Sequence, residues 1–519
     1  MKRRNFLRDS ALVSLPLMLG GFKLKAASRP FGLFSQMDEN SDRVLVLIQL
    51  NGGNDGLNTF IPLDQYDTLA NLRSNILIPE NQMISLTDEV GLHPAMEGVR
   101  NLYDDGKFTV IQSVGYTNQN RSHFRSLDIW NTGSGAEEVI TTGWLGRHFD
   151  EDTPTYPDDF PNDDYPDPFA IVLGNAVSET CQGLGGNYSI ALADPFNLGQ
   201  LPVFGGGVDL NTPYGMELSW LREVIGQTNA YAGTVSTAAE MGNSTIEYPE
   251  SELAAKLQNV ARLISGGLQT KIYIVELGGF DTHANQTTAA TTTQGIHADL
   301  LQTLSDAIYA FQQDLAALGI EERVVGMTYS EFGRRIRSNS GFGTDHGDAA
   351  PLMLFGSCVA PGFIGANPEI SPEATVDEGV ALQYEFRNVY GSVLVDWFGV
   401  SAARVQSLIY EDFNYFPVLN GCNTTSTNDP ILINDTLALE VFPNPFKEQC
   451  QLRFQSGNER VRIVVFNNRG QEVRLISERQ LTAGEQRINL SLSGLAAGVY
   501  YVQLRLGNGR RVTKRIVKM

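Results

Sequence analysis

The chain has 519 residues, of which 42% are hydrophobic, and its net charge is −21. It is too long for one typical hydrophobic core, and the negative charge argues against nucleic acid and anionic membrane surfaces as partners. The charge is uneven: residues 440–519 carry 14 Lys and Arg against 6 Asp and Glu, a net +8 that leaves −29 for residues 1–439. This asymmetry predicts two separate modules.

Residues 1–27 have the pattern of an export signal. Basic residues at 2–4 precede an apolar stretch over Ala11–Phe22, and small residues follow it. Twelve apolar residues are too few to span a bilayer, so we expect no transmembrane segment. The run RRNFLR resembles a twin-arginine signal, with a general secretory signal as the alternative. Either signal predicts an exported protein that reaches the periplasm and then the cell surface or the medium.

The next predicted element is a buried strand over Arg43–Leu50, RVLVLIQL. It runs into the loop Asn51–Gly56, whose glycines allow a tight turn that projects Asp55. An ordinary Asn/Asp-Gly turn is the alternative interpretation. A helix is predicted after His93, and it leads into a strand near Phe108–Val114.

The segment NRSHFRSLDIW places Ser122 where a helix is predicted to begin. Free N–H groups at a helix start would stabilise an alkoxide or an incoming anion. Arg121 and Arg125 flank this serine and could hold anionic oxygens in a fork. A serine that only caps the helix is the alternative.

Two further buried strands are predicted at Lys271–Leu277 and Val324–Thr328. The amphipathic pattern over Thr293–Leu318 predicts a helix between them, which makes a parallel crossover. In such a sheet the carboxyl ends of the strands meet at one edge, where ligands bind. Asp281 and His283 leave the first strand through a glycine turn.

Glu331 leaves the second of these strands directly, and Asp345 and His346 follow between glycines. Carboxylates with neutral imidazoles are the ligand set of a Zn²⁺ or Mn²⁺ site. A capping acid and a loop histidine are the alternative. Because two of only six histidines lie beside an Asp after a predicted strand, we favour the metal site. Asp281, His283 and His346 are therefore expected to converge within about 5 Å.

The tail alternates short strands with turn signals, as in VRIVVFN, QRINLSL and GVYYVQLRL. This spacing predicts a small all-β sandwich over residues 436–519. Residues 423–435, rich in Thr and Asn, are the predicted linker from a first domain over residues 40–415.

The motifs LNGGNDGLN, NRSHFRSLDIWNTG, GWLGR, GGFDTHANQ and SEFGRRIRSN…GTDHG, taken in this order, resemble a bacterial family of unknown function with twin-arginine signals. That family is grouped with the alkaline phosphatase and sulfatase superfamily, and the resemblance covers roughly residues 40–410. It implies a doubly wound α/β fold with a mainly parallel sheet. It also implies metal-assisted hydrolysis of phosphate or sulfate esters.

The resemblance also implies roles for single residues. The metal ligands would be Asp55, Asp281, His283, Glu331, Asp345 and His346, and the ion Zn²⁺, Mn²⁺ or Ca²⁺. Ser122 would be the nucleophile. Phe332 stands where the superfamily motif has a histidine, which implies that an ion on the Asp55–Glu331 side binds weakly or not at all.

In the tail, VFPNPF, FNNRGQEV, LAAGVYYVQL and RVTKRIVKM resemble the type A C-terminal sorting domain of the type IX secretion system. This resemblance implies passage through the outer membrane and the type IX machinery as a partner. The expected function is a secreted metal-dependent hydrolase of phosphate or sulfate esters, with a sulfated or phosphorylated glycan as a substrate class. A non-catalytic surface or binding protein that keeps the superfamily fold is the alternative.

Overall fold

The computed structural model describes residues 42–419 without 199–200, 203–206 and 208. It also describes residues 440–518 without 445, 448, 457, 468–471, 483, 497 and 507–510. The predicted export signal and linker lie outside the described residues. The described residues up to 419 form one compact unit, and those from 440 form another.

The first unit contains strands β1 to β12. Their bounds are β1 Val44–Asn51, β2 Phe60–Pro62, β3 Ile84–Ser85, β4 Val90–Leu92, β5 Phe108–Gly115, β6 Ala170–Leu173, β7 Ser189–Leu192, β8 Ile272–Gly278, β9 Val324–Tyr329, β10 Ala350–Phe355, β11 Gly362–Ile364 and β12 Tyr384–Glu385. Strands β2, β4 and β3 form a small separate antiparallel sheet.

The helices of this unit are α1 to α10. Their bounds are α1 Gly56–Thr59, α2 Tyr66–Arg73, α3 Glu97–Asp104, α4 His123–Thr132, α5 Trp144–Asp152, α6 Pro213–Met241, α7 Glu252–Ser265, α8 Ile296–Ala317, α9 Phe386–Phe398 and α10 Ala402–Leu408. Four 3₁₀ turns join them, at Leu63–Gln65, Glu80–Gln82, Glu179–Cys181 and Glu321–Arg323.

The main sheet has the strand order β11-β5-β10-β9-β1-β8-β6-β7 among the described residues, and β12 also pairs with β5. Its pairs are parallel except where β10 runs antiparallel to both β5 and β9. Strand β1 lies at the centre, parallel to β8 on one side and β9 on the other. Helix α8 connects β8 to β9, which confirms the predicted parallel crossover.

Helices cover both faces of this sheet. Along β1, Val44, Val46, Ile48 and Leu50 face a core that includes residues of α3, α6, α7 and α8. Leu45 and Leu47 face the opposite core, which includes residues of α4, α5, α9 and α10. A central strand buried on both faces reads as a continuous apolar run, which is why its sequence does not alternate. The predicted doubly wound, mainly parallel α/β fold is confirmed.

The second unit is built from antiparallel strands β13 to β19. Their bounds are β13 Glu440–Phe442, β14 Gln449–Ser456, β15 Glu459–Asn467, β16 Glu472–Leu481, β17 Gly484–Ser491, β18 Gly498–Leu506 and β19 Arg511–Lys518. One sheet has the order β13-β14-β17 and the other β16-β15-β18-β19. Their apolar side chains share one core, as the predicted β-sandwich requires. No described helix of the chain is long and apolar enough to cross a membrane.

Candidate metal centre

Three neighbouring strands bring their following loops to one edge of the sheet. In the registers of β1 with β8 and with β9, Asn51 lies opposite Gly278, and Gln49 lies opposite Tyr329. Because these strands are parallel, the chain leaves all three at the same edge. Strand β10 runs the other way, so the residues that precede it, which include His346, arrive at that edge as well.

Glycines let these loops touch. Gly52 has φ +120°, and a Cβ there would lie 2.2 Å from the backbone nitrogen of Asp281. Gly53 has φ +85°, and a Cβ there would lie 2.6 Å from the ring of Phe332. A side chain at either position would force the loops apart, since such distances are far inside van der Waals contact.

The carboxylate of Asp281 is the centre of the cluster. Its Oδ1 lies 3.0 Å from Nε2 of His346 and 3.1 Å from Nε2 of His283. Its Oδ2 lies 3.5 Å from Nε2 of His123. Ligand atoms from His123, Asp281 and His346 all lie within 4.8 Å of one another.

The other ring nitrogen of each imidazole has an acceptor. Nδ1 of His123 donates to Oε1 of Glu331 at 2.8 Å, and Nδ1 of His283 donates to Oδ1 of Asp345 at 2.8 Å. Nδ1 of His346 donates to the backbone carbonyl of Arg121 at 2.7 Å. With the proton on Nδ1, a neutral ring would present the lone pair of Nε2 to the cluster.

Two such lone pairs would repel each other, since Nε2 of His283 lies 2.9 Å from Nε2 of His346. A shared cation between the two rings removes this repulsion. Four ligands bonded to one Zn²⁺ at about 2.0–2.1 Å in a tetrahedron lie about 3.3 Å from one another. The carboxylate of Asp281 lies 3.0 to 3.5 Å from the three Nε2 atoms, and Nε2 of His283 lies 2.9 Å from Nε2 of His346, which is close to that spacing. The donor set therefore fits a divalent ion.

A buried arginine neutralises the carboxylate at the centre. Nη2 of Arg334 donates to Oδ1 of Asp281 at 2.7 Å, and the side chain of Arg334 is 0% exposed. Burial raises the pKa of Asp281, but the hydrogen bond and the positive charge of Arg334, together with the nearby imidazoles, outweigh it and lower the pKa to about 2. Asp281 is therefore ionised at any physiological pH.

The imidazoles differ in their proton affinity. The hydrogen bond to Glu331 raises the pKa of His123 above its ordinary value, against the effect of partial burial. Burial lowers the pKa of His346, which favours the neutral ring that a metal requires. Burial raises the pKa of Asp345, but the hydrogen bond from His283 lowers it to below its ordinary value.

Two of the predicted metal ligands, Glu331 and Asp345, lie behind the imidazoles of the cluster. Glu331 is buried, and its Oε1 accepts from the backbone N–H of Gly52 at 2.8 Å as well as from His123. It thus lies behind an imidazole, as Asp345 lies behind His283. Carboxylates in this position orient a ligating histidine and raise its basicity.

Asp55 lies outside the cluster. Its oxygens accept from Nη1 of Arg73 at 3.0 and 3.1 Å, and Nε2 of Gln286 donates to Oδ2 at 2.5 Å. Asp55 is 1% exposed. Burial raises its pKa, but Arg73 and the nearby His297 outweigh this effect, so that the pKa is lowered. The carboxylate is committed to an internal ion pair.

Ser122 immediately precedes α4, as predicted, and is exposed. Its hydroxyl makes no capping hydrogen bond to the helix. The expected fork of arginines around it is not formed. Arg121 donates to both oxygens of Asp348, at 2.9 and 2.7 Å, and Arg125 is paired with Asp128.

The ring of Phe332 packs against two imidazoles of the cluster. Its ring centroid lies 4.6 Å from that of His346 and 5.0 Å from that of His123. It is buried and supplies no ligand, but it holds two imidazoles against the sheet edge. Sequence reasoning did not assign a role to His123. The available signal was its position next to Ser122, in the first turn of a helix that starts at this edge.

Comparison with known proteins gives two sequence matches. Residues 237–395 match the model of a family described as "Protein of unknown function (DUF1501)". Residues 440–519 match the model described as "Secretion system C-terminal sorting domain". The first match covers five of the six predicted ligands but neither Asp55 nor Ser122. These matches support the expected family resemblance and the type IX sorting domain. Such a domain suggests a secreted or cell-surface protein and implies the secretion machinery as a partner.

Solved structures resemble the chain only distantly. A phosphonate monoester hydrolase from Silicibacter pomeroyi is 10% identical, with 91% of this chain and 88% of that one covered and a TM-score of 0.30. The PsFucS1 sulfatase from Pseudoalteromonas sp. is 8% identical over 88% and 85%, with a TM-score of 0.28. The lipoteichoic acid synthase LtaP from Listeria monocytogenes is 9% identical over 65% and 68%, with a TM-score of 0.27. Likeness at this level is too weak to support an inference. No curated protein matches the chain significantly.

Proposed function

We propose that this protein is a secreted or cell-surface hydrolase of phosphate or sulfate esters that depends on a divalent metal ion. The observation that carries the proposal is the convergence of three imidazole Nε2 atoms on the carboxylate of Asp281, with each Nδ1 hydrogen-bonded outward. In a metal-ligating histidine, the ring nitrogen that does not contact the metal usually makes a hydrogen bond of this kind.

His123, His283, His346 and Asp281 would hold the ion. When bound, the ion would supply positive charge that attracts an anionic ester and lowers the pKa of a coordinated hydroxyl. Without it, the carboxylates around the cluster would repel such a substrate. The −29 charge of residues 1–439 makes this requirement stronger.

Ser122 would be the nucleophile that attacks the ester. Its hydroxyl makes no capping hydrogen bond, and it is next to His123. It lies at the start of a ten-residue helix, where free N–H groups stabilise negative charge that develops on an oxygen. A serine hydroxyl is a weak nucleophile and requires this activation.

The test is turnover of an aryl phosphate and an aryl sulfate by the full chain, with Zn²⁺, Mn²⁺ or Ca²⁺ supplied. Removal of the ion with EDTA should abolish turnover. Ser122→Ala should lower kcat by about 1000-fold or more while the metal content stays unchanged, since loss of a nucleophile removes a transition-state interaction. The matched control is Ser407→Ala, at an exposed serine whose hydroxyl donates to the carbonyl of Arg404. Activity that survives Ser122→Ala would exclude this serine as the nucleophile.

A non-catalytic binding protein is the second candidate. The ion pairs of Arg121 and Arg125 favour it, because neither guanidinium is available as the expected fork for anionic oxygens. A chain that binds its ion stoichiometrically yet turns over no ester on a broad panel would establish this alternative.

A further inference from the structure

Arg334 joins the loops that form the cluster. Its Nε donates to the carbonyl of Gly53 at 2.8 Å and its Nη1 to the carbonyl of Thr344 at 2.9 Å. Its Nη2 donates to the carbonyls of Gly52 and Phe280 as well as to Asp281. The guanidinium therefore hydrogen-bonds to oxygens of the loops after β1 and β8 and of the segment before β10.

These oxygens are of the kind that bind a hard cation. Backbone carbonyls together with a carboxylate are typical ligands of Ca²⁺. Here four carbonyls and Oδ1 of Asp281 surround a fully buried positive charge that belongs to the chain itself. An arginine is always charged, so this cation cannot be released by a change of pH or by a chelator.

Each of the other carboxylates near the cluster already has a hydrogen-bond partner. Glu331 accepts from Gly52 and His123, and Asp345 accepts from His283. Asp55 is paired with Arg73 on both oxygens. Oδ2 of Asp281 lies 3.5 Å from Nε2 of His123 and has no closer donor in the described part of the chain. Among the described carboxylate oxygens of this cluster, it alone faces an imidazole Nε2 in this way.

We propose that Arg334 is the resident second cation of this site, so that the cluster binds one divalent ion and the described residues around it leave no place for another. The inference rests on the proposed metal dependence but goes beyond it, because it fixes the number of ions. Two-metal hydrolases hold their ions about 3.5–4 Å apart, and the positive charge of the second ion is here supplied by a side chain.

The test counts ions in the full chain. The metal-free protein is loaded with excess Zn²⁺, passed over a desalting column and measured by mass spectrometry of the metal. The variant Asp281→Asn, which removes the carboxylate that all three imidazoles face, serves as the blank, because an acidic chain also binds ions elsewhere on its surface. We expect one Zn²⁺ per chain above the blank. Two ions above the blank would overturn the role of Arg334, whereas none would overturn the proposed metal dependence itself.

X-ray absorption at the zinc edge provides an independent readout on the same sample. We expect scattering from imidazole rings and no second metal at about 3.5–4 Å. A metal–metal distance in that range would overturn the proposal. The measurement is repeated with millimolar Ca²⁺ added to the zinc-loaded chain, since a hard cation is the ion most suited to the oxygens around Arg334. An unchanged spectrum is the expected result, and a new metal–metal contribution would contradict the inference.

Discussion

Asp55 and Asp281 begin from the same pattern and end in opposite environments. Each follows one of two adjacent parallel strands through a glycine turn, and each contacts a buried arginine. Asp55 is 1% exposed, and both its oxygens are bonded to Arg73. The side chain of Asp281 is 46% exposed, and its Oδ2 still faces His123.

The difference lies in how completely the arginine satisfies the acid. Nη1 of Arg73 spans both oxygens of Asp55, and Gln286 adds a third hydrogen bond. Arg334 reaches only Oδ1 of Asp281 and gives its other bonds to carbonyls. An acid that is fully paired inside the protein contributes to the fold, whereas a half-paired acid at the surface can still bind a ligand.

The largest expected effect separates the two acids by stability. Asp55→Asn should lower the free energy of unfolding of the first unit by about 3–5 kcal/mol, because it leaves the charge of Arg73 buried without its counter-charge. Asp281→Asn should cost at most about 1 kcal/mol, since solvent screens this half-exposed site. Urea titration in EDTA, followed by tryptophan fluorescence, measures both changes. All four tryptophans of the chain precede residue 420, so the signal reports this unit alone.

Equal losses for the two variants would contradict the distinction between a structural and a ligand-binding aspartate. The matched background is the wild type in the same EDTA buffer, so that metal binding does not add to the stability of one chain and not the other.

The next effect is the pH dependence of stability that comes from the buried surroundings of Asp55. Burial lowers the pKa of His297, which lies near Asp55, from 6.5 to about 4. Between these values the unfolded chain binds more protons than the folded chain, so stability falls as the pH drops from about 6.5 to about 4. His297→Gln removes this term, which amounts to roughly 3 kcal/mol at the full shift. The difference in unfolding free energy between wild type and variant should therefore shrink toward acid pH.

Unfolding curves recorded across this pH range, again in EDTA, check the expectation. Titrating groups that do not interact with His297 remain in both chains and cancel in the difference, whereas Asp55 and His93 interact with it and are part of the measured effect. A difference that stays constant with pH would mean that His297 does not remain neutral in the folded protein.

The smallest expected effect concerns the metal cluster around Asp281. Glu331→Gln should weaken metal binding by about 10- to 100-fold, because the carboxylate behind a ligating imidazole raises its basicity and fixes its orientation. The matched control is Glu276→Gln, at an exposed carboxylate of the same strand edge that accepts from Asn51. Competition with a coloured chelator measures the affinity. An unchanged affinity for Glu331→Gln would remove His123 from the ligand set.

Much of the fold follows from local patterns in the sequence. The buried runs that became β1, β8 and β9 were recognisable because a strand covered on both faces is apolar throughout. The parallel crossover then placed their following loops at one edge. For this reason Asp281 and His283 could be expected near His346 although more than sixty residues separate them.

The partners of the charged side chains could not be predicted in the same way. Arg73 pairs with Asp55 through the packing of a helix onto a loop, and no spacing rule connects the two positions. Arg121 finds Asp348 across 227 residues. Buried arginines are rare, so no pattern in the sequence predicts that Arg334 lies inside the protein. His123 was not predicted as a ligand because the chemistry of this segment was assigned to the neighbouring Ser122.

The ligand atoms of the cluster come from positions 123, 281, 283 and 346. In an unfolded chain, bringing such distant segments together costs loop-closure entropy, and no preformed subset of three ligands exists within a short peptide. A nascent chain therefore offers an ion little more than single imidazoles and carboxylates. Capture of the ion has to wait until the central sheet is complete. The ion proposed for this site would then be selected by the compartment in which folding ends.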